Sequence, residues 1–143
     1  MELILRTGKP GDAEACGSIC FEAFKAISSE HNFPWDLPSA EIGIGLMREL
    51  LTNRGYHAVV AEVDGRIVGS NFLDERGPIG GIGPITVDPA LQNRGTGRRL
   101  MLAVVGRCGR EGACRRAAAA IRLPQPVLVS LHGSRLRQPR AGV

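Results

Sequence analysis

The densest chemistry in this 143-residue chain lies in Gly83-Pro84-Ile85-Thr86-Val87-Asp88-Pro89-Ala90-Leu91-Gln92-Asn93-Arg94-Gly95-Thr96-Gly97-Arg98-Arg99-Leu100. The segment reads as a strand, a turn, a glycine-bearing loop and the start of a helix. The first turn of a helix leaves backbone N–H groups without partners, and the helix dipole is positive there. Gly95 and Gly97 let the backbone close on an anion, and Arg94, Arg98 and Arg99 add full positive charges. Such an assembly suits a di- or polyphosphate. The competing reading is a helix start whose glycines serve close packing. Agreement between strand, loop, helix and charge favours phosphate. The remaining clusters offer less. Cys16, Cys20, Cys108 and Cys114 contain no Cys-x-x-Cys pair, and His31, His57 and His132 are scattered, so no metal site is expected. The thiols are expected to act as small buried apolar side chains.

The elements that must position this segment can be read from periodicity. Glu2 to Arg6 alternates as a first strand. Asp12 can cap a helix in which Ala13, Cys16, Ile19, Cys20, Ala23, Phe24 and Ile27 repeat at steps of three and four. Ser28 to Pro38, with two prolines, reads as a loop. Ser39 caps a second helix, with Glu41 in its first turn and Ile42, Leu46, Met47, Leu50 and Leu51 on one face. His57 to Val63 and Ile67 to Leu73 flank Asp64-Gly65, the two-residue signal of a tight hairpin. Gly81 to Val87 reads as a further strand, in which Pro84 marks a bulge or an edge. Gly97 to Cys108 returns to helical spacing through Leu100, Met101, Val104, Val105 and Cys108. The order β-α-α-β-β-β-α predicts a single α/β (α+β) domain, with a mixed, mainly antiparallel sheet flanked by helices. Residues 1–143 form that domain, residues 1–112 its recognisable core and 113–143 an atypical arginine- and proline-rich tail.

Composition narrows the function. No apolar run reaches the ~18 residues that span a bilayer, and the N-terminus lacks a secretory pattern, so a cytoplasmic protein with no membrane partner is expected. Net charge is −6 over residues 1–91 and +10 over 92–143. The basic part calls for an anionic partner. All six aromatic residues lie at or before Phe72, away from the positive charge. Binding of single-stranded nucleic acid through base stacking is therefore disfavoured, although the basic C-terminal part keeps nucleic acid as an alternative.

Ile85 to Leu100 resembles the acyl-CoA-binding motif of the GNAT superfamily of N-acetyltransferases, Gln/Arg-x-x-Gly-x-Gly/Ala after a Val-Asp-Pro turn. Asp64-Gly65-Arg66-Ile67-Val68-Gly69 resembles the hairpin that precedes it, and the resemblance covers about residues 1–112. It implies acetyl-CoA as co-substrate. Backbone N–H groups from Gln92, Asn93, Arg94, Gly95, Thr96 and Gly97 would cradle the diphosphate, with Arg98 close by. Backbone groups of Ile85, Thr86 and Val87 would pair with the pantetheine arm as if it were an added strand. The implied reaction is direct attack of a primary amine, from a small molecule or a peptide, on the thioester. A base or a water chain must take the amine's proton, and the candidate bases are Asp74 and Glu75, with Glu30 or His31 as further candidates. The oxyanion needs a donor, for which the N–H of Thr86 or Val87 is placed. Glu30, His31, Phe33 and Trp35 are the expected substrate lip. A homodimer is left open.

The resemblance fails after Gly112. The family's tyrosine acid has no counterpart, because the one tyrosine is Tyr56. A shifted reading frame or a divergent basic tail would each explain the change, and either is expected to leave one sheet edge uncovered. A CoA-binding domain with impaired catalysis is the alternative reading.

Overall fold

The computed structural model describes residues 2–32, 37–77, 79–110 and 116–118. Six strands and three helices occur in the order β1 (Leu3–Thr7), α1 (Ala13–His31), α2 (Ala40–Thr52), β2 (Tyr56–Val63), β3 (Arg66–Asp74), β4 (Ile79–Ile82), β5 (Thr86–Val87), α3 (Thr96–Arg110) and β6 (Arg116–Ala118). The sheet runs β1-β2-β3-β4-β6, and β5 also pairs with β3. Pairing is antiparallel except for β6, which lies parallel to β4. The mixed, mainly antiparallel sheet flanked by helices is the architecture that the hydrophobic pattern calls for. No helix among the described residues is long and apolar enough to cross a membrane.

The β2–β3 hairpin turns at Asp64 (φ 52°) and Gly65 (φ 77°), the two positive dihedrals of a tight primed turn. Alternation along β2 then divides the core. Ala58 and Val60 face α1 and α2, where they meet Cys16, Cys20, Phe24, Met47, Leu50 and Phe72. Val59 and Ala61 face α3, where they meet Leu73, Ile82, Leu100, Val104 and Cys108. Helices α1 and α2 touch through glycine. A Cβ on Gly17 would stand 2.3 Å from the Ile44 Cα, and one on Gly43 would stand 2.8 Å from the Gly17 carbonyl.

Several expectations are corrected. Ser28 to His31 belong to α1, which ends at Asn32 in the left-handed conformation (φ 56°). Ser28 stays helical because its side is buried against the core. The Asp12 carboxylate does not cap α1. It closes the preceding 3-10 turn by accepting from the Lys9 N–H (2.7 Å) and is held by Arg6. On α2 the glycine contact selects the stripe Gly43, Met47 and Leu50, leaving Ile42 and Leu46 largely outside. The sheet does not end at β4, because β6 covers that edge through Ile79↔Arg116, Gly80↔Ala117 and Gly81↔Ala118. After β4 and β5 the chain crosses through α3, and such a crossover returns a parallel strand. Cys16 and Cys20 are buried free thiols, with burial raising their pKa values to about 11 and about 12. Cys108 is instead disulfide-bonded. Of the expected tail at 113–143, only Arg116–Ala118 are among the described residues.

Candidate active site

The expected strand Gly81 to Val87 is present as two pieces, both laid on β3. Leu73 pairs with Ile82 and Asp74 with Gly81, whereas Ser70 pairs with Thr86 and Gly69 with Val87. Three steps along β3 therefore face four along the other chain, a bulge of one residue. The break falls at Gly83 (φ 124°) and Pro84, since proline has no N–H for the ladder. The slip reverses the facing of the residues after it, so Ile82, Ile85 and Val87 all pack on the α3 side. The Asp88 N–H donates to the Val68 carbonyl (2.8 Å). Because hydrogen-bonding direction alternates along a strand, the N–H and C=O of Val87 and Ile85 point away from β3, whereas those of Thr86 turn toward Ser70. Thr86 is buried, and its hydroxyl lies 3.5 Å from that of Ser70. Of the two expected oxyanion donors, only Val87 has an outward N–H.

Among the described residues β6 lies beside β4 and no strand lies beside β5 on its outer side. The outward edge of Ile85 to Val87 thus opens directly before the glycine loop. Asp88 closes the intervening turn, its side chain accepting from the Ala90 N–H (3.0 Å). The Gln92 side chain then reaches back and donates to the outward Val87 carbonyl (3.3 Å). This role is missing from the motif reading, which used only the backbone of Gln92. The position of glutamine in the motif is its one sequence signal.

Asn93 (φ 66°) and Gly95 (φ 83°) turn the loop through the left-handed region and aim it into α3. The first helical bond runs from the Arg99 N–H to the Gly95 carbonyl (3.1 Å). Gly95 therefore occupies the capping position but has no side chain to cap with. Among the described residues no protein group accepts from the N–H of Gly95, Thr96, Gly97 or Arg98. A Cβ on Gly95 would meet nothing within 4 Å, and one on Gly97 only the Val87 Cγ2 at 3.8 Å. Neither glycine is crowded by a neighbouring group. Arg94 and Arg98 are exposed there, while Arg99 donates to the Leu3 carbonyl (3.0 Å).

The expected base and lip residues fare differently. Asp74 stands opposite Gly81 but is gripped by Arg76 through Nε (2.9 Å) and Nη2 (2.8 Å). Those bonds hold its carboxyl below the usual range, against a smaller opposing push from burial. Glu75 accepts from the Arg107 Nε (2.6 Å). Both carboxylates are ion-paired, and Asp74 is a weak base. Arg76 also donates to the Tyr56 hydroxyl (2.7 Å) and covers its ring at 4.8 Å. Tyr56 pairs with Asp74, which puts it two strands from β4, roughly 10 Å at the usual strand spacing. Glu30 and His31 are exposed on the last turn of α1. Phe33 and Trp35 lie outside the described residues.

An uncapped helix start thus stands beside an open strand edge, on a mixed sheet with helices on both faces. The chain belongs to the acetyltransferase (GNAT) family, which matches residues 21–135. The match continues past residue 112, where the sequence motifs stop. No curated protein sequence matches the chain. Among solved structures it is similar to AAC(6')-Iy in complex with a CoA-S-monomethyl-acetylneamine bisubstrate analogue, at 17% identity and TM-score 0.66 over 100% of each chain. It is also similar to a PaiA N-acetyltransferase from Thermoplasma acidophilum in complex with coenzyme A (17% identity, TM-score 0.66, 93% of this chain and 87% of the other). A ribosomal-protein-alanine N-acetyltransferase from Brucella melitensis biovar Abortus 2308 is similar at 17% identity and TM-score 0.61, over 99% and 97%. At these identities the likeness is one of fold.

Proposed function

We propose that the chain transfers the acetyl group of acetyl-CoA to a primary amine by direct attack. The observation that carries this is the adjacency of the outward edge of Ile85 to Val87 and the unpartnered N–H groups of Gly95 to Arg98. The first suits an extended pantetheine arm, which pairs as an added strand would. The second suits a diphosphate, with Gln92, Asn93, Arg94, Thr96 and Gly97 lining the turn and Arg98 adding charge. The amine attacks the thioester carbon, and the outward N–H of Val87 stabilises the oxyanion. Asp74 and Glu75 supply negative charge near the start of β4. Arg76 holds the Asp74 carboxyl below the usual carboxylate range, which makes Asp74 a poor base, so the amine's proton leaves to Glu75 or through water. Glu30, His31, Phe33 and Trp35 form the acceptor lip.

A second reading has a specific support. Tyr56, the one tyrosine, is tied to Arg76 two strands away from β4, so the leaving thiolate has no tyrosine acid. The domain then binds acetyl-CoA and turns it over slowly.

Titration calorimetry with CoA, paired with thiol release from acetyl-CoA across small amines and peptides, tests both. Binding with amine-dependent thiol release supports the transferase, and binding without release supports the second reading. No heat with CoA overturns both.

A further inference from the structure

We infer that Asn71 is a positioning residue that locks the two halves of the cofactor site together; this rests on the CoA reading above. Asn71 is fully buried in the middle of β3, where an amide side chain is costly unless bonded. It makes two bonds, one to the N–H of Phe72 that faces the strand break and one to α3. Its Oδ1 accepts from the Phe72 N–H (2.9 Å). The Gly83 N–H donates to the Phe72 carbonyl (2.9 Å), so the polar groups of Phe72 face the broken strand. A regular ladder would give the Phe72 N–H a carbonyl there. The bulge at Gly83 and Pro84 displaces that partner, and Asn71 takes its place.

The other end of the amide, Nδ2, donates to the Leu100 carbonyl (3.3 Å). Leu100 lies one turn into α3, immediately behind the open N–H groups. Asn71 and Gly69 both face this helix, and a Cβ on Gly69 would stand 3.1 Å from the Leu100 Cδ1 and 2.8 Å from the Thr86 carbonyl. The helix is therefore seated closely on β3, and Asn71 is the polar peg that fixes its position. One side chain seals the strand break and sets how far the anion-binding turn stands from the edge of β5. Neither bond touches a ligand.

The test separates this role from general stability. Asn71→Asp keeps the acceptor for Phe72 and loses the donor for Leu100. Asn71→Ser is smaller and cannot reach both groups. Calorimetry compares CoA with pantetheine, which lacks the diphosphate and nucleotide. Asn71→Asp is expected to weaken CoA at least tenfold and to leave pantetheine within about twofold, with Asn71→Ser intermediate. Equal weakening of both ligands, or none for CoA, overturns the inference. Hydrogen exchange gives a ligand-free reading, in which amides in the first two turns of α3 exchange faster in Asn71→Asp than amides of β2. Unchanged or uniformly faster exchange also overturns it. Failure of the unmodified chain to bind CoA would instead remove the functional reading, leaving the exchange measurement to decide the role of Asn71.

Discussion

The three helices begin in different ways, and the difference sets the start of α3 apart. The chain enters α1 through Asp12, whose carboxylate accepts from the Lys9 N–H and from two Arg6 nitrogens (2.8 and 2.9 Å). Helix α2 starts at Ser39, whose side chain accepts from the Ile42 N–H (3.4 Å). Helix α3 starts at Gly95, with no side chain at the cap and four donors open. Glycine at the cap gives up only a few tenths of a kcal/mol relative to a side-chain cap, so the open start costs the fold little. A side chain caps α2 and Asp12 closes the turn that leads into α1; among the described residues no side chain does either for α3, and the proposed cofactor reading uses that difference.

That comparison breaks most sharply at Gly95. Gly95→Asp supplies the missing cap and places a negative charge where the diphosphate would sit. Losing two charge-assisted bonds corresponds to about 3 kcal/mol, or roughly 100-fold in CoA affinity, measured by calorimetry. The left-handed backbone at Gly95 adds ~1–2 kcal/mol of strain, visible as a lower Tm.

Arg6→Met should do the opposite, lowering stability by about 1–3 kcal/mol while leaving CoA affinity alone. Its pH dependence is the more telling measurement. The bonds from Arg6 hold the Asp12 carboxyl below its ordinary range. A depressed carboxylate contributes stability that is fully present above its unfolded pKa and lost as pH falls through the folded one. Melting curves from pH 7 down to 3 should therefore lose less in Arg6→Met than in the unmodified chain.

Gly97→Ala sharpens the contrast because the protein itself has room for the methyl group. Helix propensity predicts a Tm equal or slightly higher, and crowding of the open donors predicts about tenfold weaker CoA binding, or ~1.4 kcal/mol. Equal affinity would show that the ligand does not approach Gly97. Ser39→Ala is the smallest change. The long bond to Ile42 suggests about 0.5 kcal/mol, read by urea denaturation, with no effect on CoA.

Local signals were the legible ones. The hairpin at Asp64-Gly65, the cap at Ser39 and the glycine turn before α3 each depend on residues a few positions apart, and the structure places all three. Features set by pairing across the chain were hidden. Pro84 announced a break, but a one-residue slip depends on which residues of β3 lie opposite. The pairing of Asp74 with Arg76 was within reach, two residues apart, whereas that of Glu75 with Arg107 required α3 to lie along the sheet. Asn71 left a trace as a polar residue within the run Val68 to Leu73, yet its partners are a neighbouring N–H freed by the bulge and a carbonyl 29 positions away. The apolar pattern of α2 overstated burial because Ile42 and Leu46 suit the helix but miss the glycine-to-glycine contact.

The extra residue between Ile82 and Thr86 also restricts how this segment can change. Side chains on a strand alternate with a period of two, so removing or adding a single codon here would turn Thr86 toward α3 and Val87 toward α1. Point substitutions leave that parity intact. Apart from Gly83, whose positive φ (124°) suits glycine, this stretch tolerates a change of identity better than a change of length.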